Sequence, residues 1–121
     1  MKNKIYTDAQ LYVDGSIFLK ECTNVVMNLR IDYKHSFGYD LLKNIRDAIL
    51  NFSLSYKIDD SIKKIEIANS SIKLFDIIEI QLNIMKDVNV ISEKQFIFLF
   101  HHLGMLNTQI KGWCNSLVNR I

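Results

Sequence analysis

Proline is missing from this chain altogether, and only four glycines occur in its 121 residues. Tight turns and strand ends are usually punctuated by those two residues, so their scarcity excludes a turn-rich β fold and points to an all-α composition. Cysteine is nearly as scarce. Cys22 and Cys114 lie far apart without CxxC spacing, which excludes a zinc ribbon or a disulfide framework and reads as two buried thiols of an intracellular protein. Long apolar runs are lacking too. The longest strictly apolar stretch, Phe96 to Phe100, is too short to cross a bilayer, and the polar start MKNKIYTDAQ offers no signal-peptide segment. The expectation is a soluble, cytoplasmic protein without membrane contact. Charge of one sign is also missing: 15 basic against 13 acidic residues leave +2, too little to mark a nucleic-acid binder by itself.

What is present is hydrophobic periodicity. A hydrophobic fraction of 49% is ample for one core, and the whole length, residues 1–121, is expected to be a single domain. A first helix is expected from Tyr6 to Leu29, with Leu11, Phe18, Cys22, Val25 and Leu29 on one face and Gly15 weakening its first half. A polar break spans Arg30 to Ser36. The second helix, Phe37 to Tyr56, places Leu41, Ile45, Ala48, Phe52 and Tyr56 on a stripe and ends at the charged turn Lys57 to Asp60. The third starts at Asp60 or Ser61, either of which can accept from the free amides of a first turn, and carries Ile65, Ala68, Ile72, Phe75, Ile78, Leu82 and Met85. The fourth begins at Ser92, where Ser-Glu-Lys-Gln fits a capping box, and continues as a heptad seam of Phe96, Leu99, Leu103, Leu106, Ile110, Trp113 and Leu117. Helices of about 20 residues span about 30 Å, which short connections cannot cross, so the expected architecture is an antiparallel up-down-up-down four-helix bundle.

A second apolar set lies outside these stripes: Ile67, Leu74, Ile77, Ile80 and Ile84 on the third helix, Phe98 and Met105 on the fourth. One bundle interior cannot take both sets. A wide core arc with a few exposed isoleucines is one reading; a subunit interface of a homo-oligomer is the other, and is preferred here.

No catalytic pattern accompanies the bundle. A carboxylate-bridged metal pair needs Glu-x-x-His, yet three residues after Glu21, Glu66, Glu79 and Glu93 stand Asn24, Asn69, Leu82 and Phe96. His101 and His102 are adjacent and point about 100° apart on a helix, unlike a chelating i, i+4 pair. No glycine pattern for phosphates exists, so no cofactor or metal is expected and an enzyme is not. Trp113 could stack on a base, but its heptad position favours the core.

Antiparallel topology would gather both termini and the second loop at one end, with Lys2, Lys4, Lys57, Lys63, Lys64, Lys111 and Arg120 against Asp8, Asp59, Asp60 and Glu66, seven positive to four negative. The opposite end balances Arg30, Lys34, Lys86 and Lys94 with Asp32, Asp40, Asp87 and Glu93. A cyclic oligomer would repeat the excess on one rim, where phosphates are attracted.

Phe37-Gly38 opening the second helix, Lys86-Asp87-Val88-Asn89-Val90-Ile91-Ser92 linking the third and fourth, and Gly112-Trp113 near the end stand in an order and spacing that resemble one family. It is the four-helix-bundle family containing the accessory variability determinant of diversity-generating retroelements and its relatives encoded in intervening sequences of bacterial large-subunit ribosomal RNA genes. The resemblance covers about Asp32 to Ser116. It implies a cyclic homopentamer that binds RNA or DNA and a reverse transcriptase, and supports mutagenic copying of a template repeat without being the polymerase. This chain departs from the pattern where Glu79, Asn83 and Thr108 replace usual arginines, and where no proline separates the first two helices. The expected nucleic-acid contacts are therefore Lys43, Arg46, Lys63, Lys64, Lys73 and Lys111, binding phosphate without base specificity. The alternative is a structural homo-oligomer or protein-interaction module without nucleic-acid binding.

Overall fold

A computed structural model describes the backbone from residue 2 to residue 119 and the side chains from residue 10 to residue 119. The described residues are all helical, without a strand: α1 (Lys2–Met27), the single turn α2 (Ile31–Tyr33), a π-helical turn (Lys34–Gly38), α3 (Tyr39–Tyr56), α4 (Ser61–Asp87) and α5 (Glu93–Val118). Because α2, the π turn and α3 follow without interruption, the chain forms a four-helix bundle. Each rod packs chiefly on two others: α1 lies against α3 and α5, and α4 against the same two. No described helix is long and apolar enough to cross a membrane.

The local signals act where the residues place them. Asp60 caps α4 by accepting from the Ile62 amide at 3.0 Å. Ser92 and Gln95 form both bonds of the capping box, at 3.0 and 2.9 Å. Between them α4 stops in a Schellman motif. Asn89 takes the left-handed conformation (φ 63°), its amide bonds the Lys86 carbonyl, and the Val90 amide bonds the Met85 carbonyl at 2.8 Å. Val90 and Ile91 then turn into the core.

Two expectations change. The polar break at Arg30 to Ser36 is largely helical, since the chain leaves helical geometry only from Asn28 to Arg30 before α2 begins. The reason lies in Gly38. A Cβ there would stand 2.5 Å from Val26 Cγ1, so the glycine lets this rod press directly on α1, and the wider π turn absorbs the approach. Gly15 serves α1 in the same way. Its missing Cβ would sit 3.3 Å from both Ile49 and Phe52, so the residue that weakens a lone helix permits a close crossing with α3.

The core contains most of the expected stripes, with Leu11, Phe18, Cys22, Leu41, Ile45, Ala48, Phe75, Ile78, Leu82, Met85, Leu99, Leu103 and Ile110 all nearly inaccessible, and with Val26 buried in place of the expected Val25. Tyr56 is exposed, and Val25, Leu29, Ile65, Ile72 and Phe96 are only partly buried. Cys22 and Cys114 are free, buried thiols, and Trp113 is a core residue at 3% exposure.

Candidate interaction surfaces

Pairing between the rods is recorded by polar contacts. Across α3 and α4, Asn44 bonds Gln81 at 3.1 Å, Ser71 Oγ donates to the Ala48 carbonyl at 2.8 Å, and Ser55 Oγ donates to the Lys64 carbonyl at 2.8 Å. Numbers rise along α3 as they fall along α4. The same holds across α1 and α5, where Asp14 accepts from Gln109 Nε2 at 3.0 Å and Glu21 meets His102 Nδ1 at 2.6 Å.

Lys64 corrects an expected nucleic-acid contact. It is 7% exposed, its ammonium reaches the Tyr56 carbonyl at 3.5 Å and it lies 5.8 Å from the centre of the Tyr56 ring. Its place explains this: Lys64 is one helical turn before Ala68 on the buried row that continues through Ser71, Phe75, Ile78, Leu82 and Met85. Lys43, Arg46, Lys63, Lys73 and Lys111 are exposed. They stand on three helices, and Lys43 is engaged by Asp47 at 3.0 Å. The expected basic rim also thins. Lys64 leaves it by being buried, Lys57, Lys63, Lys111, Asp59, Asp60 and Glu66 are exposed, and Lys2, Lys4, Asp8 and Arg120 lie outside the described side chains. At the other end Arg30 pairs with Asp32 at 2.6 Å, an exposed contact that holds the Asp32 carboxyl below its ordinary range.

The second apolar set divides. Ile67 and Leu74 are half-buried, Leu74 packing on the core. Ile77, Ile80, Ile84, Phe98 and Met105 are each between 45% and 57% exposed. They do not form one surface. Ile84 borders a groove of about 140 Å³ between α3 and α4, with Phe37 and Gln81, whereas Met105 borders a cleft of about 120 Å³ between α1 and α5, with Ile17, Asp14, Glu21 and His102. Since α1 contacts α3 on one side and α5 on the other, and α4 does likewise, these two seams are opposite flanks of the bundle.

The α1–α5 cleft has the most ordered chemistry of the described surface, and periodicity did not find it. Asp14 accepts from Gln10 at 2.8 Å as well as from Gln109, while His102 rests against Phe98 with ring centroids 4.7 Å apart. Glu21 and His102 are 81 positions apart, and Asp14 and Gln109 are 95 apart, so no local pattern joins them. Among the described residues no group of three or more His, Cys, Asp or Glu side chains is arranged to hold a metal ion. Burial raises the Cys22 thiol far above its ordinary range and Cys114 also upward, the opposite of the lowering a nucleophilic cysteine requires. No family model matches this chain, and no curated protein matches it either.

Proposed function

We propose that this chain is a non-enzymatic assembly protein: an antiparallel up-down-up-down bundle that closes into a cyclic homopentamer and acts in the cytoplasm as the accessory protein of a diversity-generating retroelement. The observation that carries the assembly part is the pair of half-exposed apolar sets, Ile77, Ile80 and Ile84 along α4 and Phe98 and Met105 along α5, with Ile84 bordering one seam and Met105 the other. Unlike patches on different sides join head to tail, and such contacts close into a ring when the two patches are inclined to each other so that successive copies rotate about one axis. The numbering reversal across α3–α4 and α1–α5 supports the topology, and the resemblance in Phe37-Gly38, Lys86 to Ser92 and Gly112-Trp113 supports the family and the number five.

In this reading the ring holds a reverse transcriptase and RNA or DNA in a productive assembly, working through positioning and charge neutralisation. Of the expected set, Lys43, Arg46, Lys63, Lys73 and Lys111 are the exposed cations, Lys43 sharing its ammonium with Asp47. The test is a gel-shift titration with RNA and single-stranded DNA over a salt series, together with retention on a reverse transcriptase. Binding should ignore sequence, and each engaged phosphate should add about −0.9 to −0.7 to the slope of log affinity against log salt. Retention of neither ligand overturns the proposal.

A structural homo-oligomer without nucleic-acid binding is favoured by a separate observation. At the positions that would be basic, Asn83 donates to the Glu79 carbonyl at 3.0 Å and Thr108 to the Gly104 carbonyl at 3.0 Å, so both side chains are turned onto their own helices. Gel-shift binding that charge reversal at Lys43 and Lys63 abolishes rules this second reading out.

A further inference from the structure

The polar contacts between rods supply a common height scale along the bundle. Asp14 is level with Gln109 and Glu21 with His102 across α1–α5, while Asn69 is level with Cys114 (3.3 Å) and Lys86 with Phe96 (4.4 Å) across α4–α5. Counting from those pairs at about 1.5 Å per residue places Lys73 within one residue of Gln109 and Asp14, Ile77 within one of Met105, and Ile84 within one of Phe98. At 100° per residue, Lys73, Ile77, Ile80 and Ile84 share one outer face of α4, and Phe98, His102, Met105 and Gln109 share the α1-facing side of α5. From the terminal end the α4 face therefore reads Lys73, Ile77, Ile80, Ile84, and the α1–α5 side reads, at the same heights, Asp14 with Gln109, then Met105, then Glu21 with His102, then Phe98.

We infer that the α4 face of one copy seats in the α1–α5 cleft of the next, with Lys73 against Asp14, Ile77 against Met105 and Ile84 against Phe98. The inference rests on the homo-oligomer reading proposed above and names its contact. A ring whose axis runs along the helices leaves every residue at its own height from copy to copy, so a matched register is what such a ring requires. Charge complementarity selects a second copy as the occupant. Asp14 is half-buried, and among the described residues its partners are glutamine amides, while Lys73 is exposed and has no ion pair among them. This places Lys73 in the subunit contact instead of on a phosphate. Glu21 is met by His102 within its own chain, which leaves Asp14 as the charge the next copy answers.

Cysteine cross-linking of the full chain tests the pairing, because a disulfide forms only where Cα atoms approach within about 7 Å. The variant carrying both Ile84→Cys and Phe98→Cys, mildly oxidised, should give a ladder of covalent multimers on a non-reducing gel, and each single variant should give none. Both positions are half-exposed, so folding is retained, and the native thiols are buried. Separately, Lys73→Glu should lose assembly at low salt, with Asp14→Lys in the same chain restoring it. A dimer from either single variant, showing like faces in contact, overturns the inference. So does a missing ladder in a protein that light scattering shows to be oligomeric. A wild-type monomer overturns the oligomer reading itself.

Discussion

The α3–α4 seam and the α1–α5 seam belong to the same bundle but are closed by different chemistry. Along α3–α4 the central polar contacts are two serines at 0% exposure, each donating to a backbone carbonyl of the facing helix. Along α1–α5 the contacts are carboxylates and their partners, with the Glu21 and His102 side chains 16% and 33% exposed beside an open cleft. A buried hydroxyl bonded to a carbonyl fixes the register of two helices and is costly to leave unpaired. A polar pair at the edge of an open cleft contributes less, because water competes for its groups. The first seam is built to hold the fold, and the second leaves polar groups accessible to another molecule.

Several substitutions can break or sharpen that contrast. The largest expected effect is at Phe75, 1% exposed and one turn along α4 from Ser71. Phe75→Ala should cost about 3–5 kcal/mol in a urea-unfolding experiment, through lost burial and the cavity it leaves. Ser71→Ala on the same seam should cost about 1 kcal/mol, the usual net value of a buried hydrogen bond. Across the bundle Glu21→Gln, which keeps a hydrogen-bonding group beside His102, should cost less, about 0.2–1 kcal/mol. A larger loss at Glu21 than at Ser71 would reverse the assignment of the two seams.

The smallest effect under ordinary conditions concerns Cys22, beside Glu21 but on the buried side of α1. Desolvation, and secondarily the neighbouring Glu21, raise its pKa above the 9.0 of an unperturbed thiol. A group raised on folding stabilises the native state fully below its unfolded pKa and loses that contribution as pH climbs above it. Unfolding free energy should therefore fall above about pH 9, and a Cys22→Ala variant should show a shallower alkaline decline, the part due to Cys114 remaining.

The sequence carried the fold where the signal was local. Ser92 with Gln95, Asp60 before its helix, and the alternating spacing of Leu99, Leu103, Leu106, Ile110, Trp113 and Leu117 all act where their patterns place them. Lys64 was misread although its signal was present. The row Ala68, Phe75, Ile78, Leu82 and Met85, carried backwards through Ser71, lands on it, and only the habit of placing lysine in water argued otherwise. Ile65 and Ile72 took its place in the expected stripe, being more hydrophobic but one position off the buried row. The π turn had no such signal, because it answers a contact between Gly38 and Val26 that exists only once two rods have packed. The two apolar flanks were legible as residues and not as surfaces. Periodicity separates the inner face of a helix from the outer, but which outer face meets which groove depends on how the rods are arranged around one another.

Everything proposed for this chain depends on copies joining through unlike flanks. Its solution mass, measured by multi-angle light scattering at micromolar concentration, tests that most directly. A single species of five chains of 14.2 kDa is expected, and a species with the mass of one 14.2 kDa chain overturns the assembly.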